Sequence, residues 1–121
     1  MTLSKRTQNY VSKLPKPYIY ALVKFKCVNH YMPIVAGRYL NTPVDERLCT
    51  ICQMNEIGDE FHYLFRCTFF STQRSRYIMR YYYTRPNMYK LTQLFESSDF
   101  TEMLNLAKFA GIIVNHFKPI Q

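Results

Sequence analysis

Glycine is scarce in this chain: Gly37, Gly58 and Gly111 are the only three among 121 residues. A phosphate-cradling loop needs clustered glycines, so neither G-x-G-x-x-G nor a Walker A loop can be built here. H-E-x-x-H and G-x-S-x-G are also missing, which removes the common zinc-protease and serine-hydrolase motifs. Long apolar runs are absent. The longest candidate, "FAGIIV", has six residues, against the roughly 18 that suggest a membrane span. The opening "MTLSKRTQNY" carries charge but no apolar stretch of a secretory signal. The expectation is an intracellular protein, nuclear or cytoplasmic, with no membrane partner. In such a reducing setting, clustered cysteines are more often metal ligands than disulfides.

Acidic residues are missing from two long blocks. Residues 1–44 hold Lys5, Arg6, Lys13, Lys16, Lys24, Lys26 and Arg38 and no acid. Residues 66–90 hold Arg66, Arg74, Arg76, Arg80, Arg85 and Lys90, again with no acid. Between them lie Asp45, Glu46, Glu56, Asp59 and Glu60 with Arg47 as the sole cation. The net charge is +8. Acid-free basic blocks suit a polyanion, nucleic acid first, or serve as a solvated surface.

What the chain does have is a dense cluster in "LCTICQMNEIGDEFHYLFRC". Cys49, Cys52, His62 and Cys67 follow C-x2-C-x9-H-x4-C. Zinc takes four such donors at tetrahedral corners. C-x2-C brings two sulfurs to one side of a metal, and nine residues allow the chain to loop out and return. A disulfide or a buried cysteine cluster are the competing readings. Residues five apart lie about 140° from each other on an ideal α-helix. His62 and Cys67 therefore require that the helix carrying them end or distort between Arg66 and Cys67. If one ring nitrogen of His62 binds metal, the other needs an acceptor, and Glu60 or Asp59 are the candidates. Cys27 and His30 also have C-x2-H spacing, but two further ligands are lacking, so Cys27 is expected to be a buried packing residue.

The remaining pattern is helical, giving a mainly α domain with one embedded zinc knuckle. Residues 1–14 read as a basic flexible arm and 15–121 as a single domain, with the knuckle at 48–68. A helix is expected from Pro17 to about His30, stopped by Pro33. "AGRYLNTPVDERL" reads as loop with one turn started by Thr42-Pro43. Asp59 caps the "EFHYLFR" helix, and a helix from Thr68 or Ser71 runs to Tyr83. Asn87 caps a short helix to Glu96. Asp99 with Glu102 forms a capping box for a last helix to about Phe117, whose apolar residues spread round all sides and place it at the centre of the core. In "RSRYIMRYYYTRP", Arg76 and Arg80 share a face and can grip neighbouring phosphates, with Arg74 and Arg85 flanking and Lys13 and Lys16 adding contacts. Tyr77 and Tyr81 are expected in the core, leaving Tyr83, with Tyr82 beside it, to stack bases.

"RLCTIC…EIGDEFHYLFRCTFF", preceded by "KFKCVNHYMPIVAGRY", resembles the C-terminal zinc-binding segment of non-LTR retrotransposon reverse transcriptases. The resemblance covers roughly residues 17–117, and the metal motif is its specific part. It implies one structural zinc on Cys49, Cys52, His62 and Cys67. It also implies RNA or DNA as a weakly sequence-specific ligand, and a reverse transcriptase or other element-encoded protein as a partner. No Y-x-D-D polymerase signature and no nuclease part occur, and four protein ligands leave no open metal position, so an enzyme is not expected. The alternatives are a protein-interaction module with structural zinc, or a non-functional transposon relic.

Overall fold

A computed structural model describes residues 14–27 and 30–117; Lys13 and the rest of the expected arm up to it lie outside the described residues, and Leu14, expected as the arm's last residue, is buried in the core. The molecule is mainly helical; the described residues form six α-helices: α1 (Lys16–Lys26), α2 (Pro33–Tyr39), α3 (Ser71–Tyr77), α4 (Arg80–Thr84), α5 (Met88–Phe95) and α6 (Phe100–His116). Shorter turns at Val44–Glu46, His62–Arg66 and Thr68–Phe70 connect them.

The longest helix, α6, is the centre. Asp99 caps it by accepting from the Thr101 and Glu102 amides, leaving few of its first-turn donors unpaired. Glu102 does not close the expected capping box. Its carboxylate instead accepts from the Tyr82 hydroxyl at 2.8 Å, while Ser97 Oγ accepts from the Asp99 amide. Met103, Leu106, Ala107, Phe109, Ala110, Ile113 and Val114 are all buried on α6. α1 packs along it, and Gly111 lets the two helices close up: a Cβ there would meet the Ala21 methyl at 3.3 Å. A mid-helix glycine weakens α6 locally, and close contact with α1 is what it permits. Phe25, Tyr63, Phe70 and Phe109 are the largest fully buried side chains around this axis.

Several local expectations change. Pro33 begins α2 rather than stopping α1, which already ends at Lys26. Proline at a first helical position has no amide to satisfy and a preset φ. Residues 36–39, expected in a loop, continue α2. The expected helix to Tyr83 is two helices. Ile78 and Met79 are extended (ψ 134 and 138) between α3 and α4, and Ile78 is buried there. Arg76 and Arg80 therefore do not share one helix face. Tyr82 takes the core position, stacked on Phe65 with centroids 6.4 Å apart. Tyr77 is half-buried and Tyr81 is exposed. Cys27, expected to be packed, is exposed. His30 is buried, with Nε2 3.5 Å from Glu60 Oε2. Asn87 caps α5 as expected, accepting from the Lys90 amide at 2.8 Å.

Candidate metal centre

The first half of the site is a short loop folded back on itself. Leu48 pairs with Ile57 in an antiparallel bridge. The Cys49 amide donates to Glu56 O at 2.8 Å, and the Gly58 amide to Arg47 O at 2.9 Å. Asn55 turns the loop at φ 56, a left-handed conformation that asparagine tolerates better than most residues. The loop is docked on α2: Gly58 O accepts from the Ile34 amide at 3.0 Å. A Cβ on Gly58 would lie 2.7 Å from both Pro33 Cγ and the Tyr63 hydroxyl, so the approach depends on glycine.

The second half solves the spacing problem. Asp59 Oδ1 accepts from the His62 amide at 2.9 Å, starting a helical turn at Glu60. Over His62–Arg66 the turn widens to the π form, and the Cys67 amide reaches His62 O at 2.7 Å. An i→i+5 ring adds one residue per turn, so residues five apart rise nearly above one another. The distortion spans the whole turn rather than the single step after Arg66. It brings His62 and Cys67 to the same side.

Widening the turn leaves backbone carbonyls without intrahelical donors. Arg74 supplies them. Its Nε donates to Leu64 O at 2.7 Å, and its Nη2 to Tyr63 O and Cys67 O, both at 2.9 Å. Arg74 is 4% exposed, and burial brings its pKa down to about 10. It was expected on a nucleic-acid-binding face. That assignment is corrected: the guanidinium is spent inside the protein, where its planar fork fits several carbonyls at once.

The four donor atoms of Cys49, Cys52, His62 and Cys67 lie within 4.8 Å of one another. Cys49 Sγ and Cys67 Sγ are 3.9 Å apart, and Cys52 Sγ is 3.4 Å from His62 Nε2. A tetrahedron with metal–sulfur bonds of about 2.3 Å and metal–nitrogen bonds of about 2.0 Å has edges of about 3.8 and 3.5 Å. These side chains could hold a metal ion with little movement. The Ile51 amide points at Cys49 Sγ from 3.5 Å. His62 presents Nε2 to the sulfurs and Nδ1 to Glu56 Oε1 at 3.1 Å. The acceptor is thus Glu56, not Glu60 or Asp59. Glu56 also receives Arg66 Nε at 2.7 Å and Nη2 at 2.6 Å, and Arg66 holds its carboxyl below the ordinary range. Burial raises the Asp59 carboxyl, which is occupied as the cap.

Three sulfurs this close cannot ionise freely together. Burial, with the charges of Cys49 and Cys52 behind it, pushes the Cys67 thiol up to about 12. Burial also opposes ionisation of Cys49, but the nearby Tyr63 hydroxyl, the Ile51 amide, Cys52 and His62 outweigh it and bring Cys49 down to about 7. A divalent cation among them would remove the conflict.

The basic residues are not drawn into this centre. Lys16, Arg76, Arg80 and Arg85 are exposed and Tyr83 is half-buried. Arg66, by contrast, is paired with Glu56. Among the described residues no helix is long and apolar enough to cross a membrane. The fold and the cluster define a small helical domain organised on a Cys3His centre. No protein-family model, curated protein or solved structure matches the chain.

Proposed function

We propose that this chain is a zinc-stabilised nucleic-acid-binding module, non-catalytic, of the kind found in the tail of retrotransposon reverse transcriptases. The observation that carries the zinc reading is the near-tetrahedral spacing of three sulfurs and one imidazole nitrogen, a donor set that suits zinc. Four protein donors fill a tetrahedron, which supports a structural rather than a hydrolytic role. Nucleic acid as the ligand is supported by the cations that the fold leaves over. Lys16, Arg76, Arg80 and Arg85 are exposed, and among the described residues none of them has a carboxylate within ion-pair distance.

A protein-interaction module is the second reading, and one feature favours it. Tyr39, Leu40, Val44 and Leu48 are exposed, and a groove of about 250 Å³ runs beside Leu40 and Leu48. Metal analysis of the purified chain, then titration with RNA and with duplex DNA across a salt series, separates the readings. Zinc near one equivalent and binding that weakens steeply with salt are expected. Zinc far below one equivalent rejects the centre. No binding to either polymer at low salt leaves the interaction module or a relic.

A further inference from the structure

We infer that the α4–α5 hairpin is a stacking site for single-stranded nucleic acid. Tyr81 and Tyr89 serve as base platforms, and Arg80, Arg85 and Lys90 as phosphate contacts. The inference rests on the nucleic-acid reading above and places its ligand on one surface.

Tyr81 is 47% exposed and Tyr89 is 74% exposed. Exposed tyrosines are ordinary, but Tyr81 is also fixed. Its hydroxyl donates to Gln93 Oε1 at 2.8 Å. Its ring meets Tyr82 edge-on, with centroids 5.0 Å apart. The Lys90 ammonium sits 4.6 Å from the ring centroid, and itself donates to the Tyr81 carbonyl at 2.9 Å. A large aromatic surface is thus held rigid at the boundary with water. A rigid ring loses little entropy when a base stacks on it. Tyr89, next to Lys90 on α5, puts a second ring on the same hairpin.

Within the hairpin itself, residues 80–95, the charge has one sign, although Asp59 and Glu60 lie beside Met88 at its edge. Arg80 and Arg85 are exposed and Lys90 is half-buried. Among the described residues no acidic side chain forms an ion pair with any of them. Rings interleaved with cations that have no acidic partner match a single strand, whose bases offer free faces and whose phosphates follow at short intervals. A duplex hides its base faces, and α4, five residues long, is a poor fit to groove reading. An acidic peptide would satisfy the cations but leave the rings without a matching partner.

The test uses the full zinc-loaded chain and three probes. These are an oligouridylate of about twelve nucleotides, a duplex DNA of the same length and a polyglutamate peptide of similar charge. Tyr81→Ala and Tyr89→Ala should each weaken oligouridylate binding about 10-fold and leave duplex binding within about 2-fold. Tyr81→Phe should bind within about 3-fold of wild type, because it keeps the ring and loses only the Gln93 bond that helps to fix it. Arg80→Ala should reduce the salt slope by about 0.7. Zinc content and circular dichroism establish that each variant is folded, and the exposure of Tyr89 makes its variant safe in that respect. Tyrosine variants that bind oligouridylate as wild type does would overturn the stacking site while leaving the nucleic-acid reading intact. Polyglutamate binding as tightly as oligouridylate, with no effect of the tyrosines, would overturn it in favour of charge alone. Absence of binding to both nucleic acids would remove this inference together with the reading beneath it.

Discussion

Replacing Arg74 by methionine keeps much of its volume and removes all three of its hydrogen bonds. Those bonds run to the Tyr63, Leu64 and Cys67 carbonyls. Hydrogen bonds to a charged group contribute about 1.5–3 kcal/mol each, so three give roughly 4.5–9 kcal/mol. Burial opposes this by lowering the guanidinium by about two and a half pKa units from its ordinary value, to about 10. At 1.36 kcal/mol per pKa unit that amounts to about 3 kcal/mol. Arg74→Met should therefore destabilise the zinc-loaded chain by about 3 kcal/mol. For a chain of this size the melting temperature should fall by about 10 °C. Arg74→Lys should recover about one bond's worth, since an ammonium lacks the fork. The π turn that aligns His62 with Cys67 rests on these carbonyls, so zinc affinity should fall as well. Thermal melts and competitive zinc titration measure both effects. A loss below about 1 kcal/mol, or an unchanged fold with reduced RNA affinity, would refute the capping role and return Arg74 to the surface.

Four further outcomes are expected. Cys52→Ser should lose most of the zinc and unfold the 47–67 region, because structural zinc contributes roughly 10–16 kcal/mol in small domains. Cys27→Ser, at an exposed position, should match wild type in zinc content and melting temperature; equal zinc loss from both would place Cys27 in the site. Glu56→Gln keeps an acceptor for His62 Nδ1 but removes the charge that Arg66 and His62 share. Zinc affinity should drop about 10–100-fold, and an unchanged value would show that the outer contact is idle. Lys26 is buried, with Nζ donating to Phe95 O at 2.7 Å. Burial lowers its pKa from 10.5 to about 8. The folded chain binds this proton less tightly than the unfolded chain. The resulting penalty is full below pH 8 and fades as pH rises towards 10.5. Relative to Lys26→Met, wild type should gain up to about 3 kcal/mol over that range; a difference that stays flat with pH would contradict the shift.

The sequence by itself determined the Cys3His cluster that could hold a metal, the helical class and the caps. Cysteine and histidine spacing is local, so Cys49, Cys52, His62 and Cys67 could be chosen without knowing the fold. The need for a distorted turn between His62 and Cys67 followed from helix geometry alone. Asp59, Asn87 and Asp99 declared themselves as caps, because the bond each makes reaches only two or three residues along the chain. The centrality of α6 was legible in apolar residues on every side of one helix.

Tertiary structure decided the rest. Glu56 is six residues from His62 in sequence, so the nearer Glu60 and Asp59 stood as the candidates, and only the folding back of the loop brings Glu56 to the ring. Arg74 read as one more cation in an acid-free block; only the carbonyls exposed by the π turn, ten and eleven residues away, turn it inward. The spacing of Arg74, Ile78 and Tyr82 is the same with or without a break at Ile78. A continuous helix and two short ones are therefore indistinguishable locally, and the choice reassigns which tyrosines reach water. Short-range geometry is written in residue spacing, whereas burial of a charge or a ring depends on which distant backbone comes to meet it.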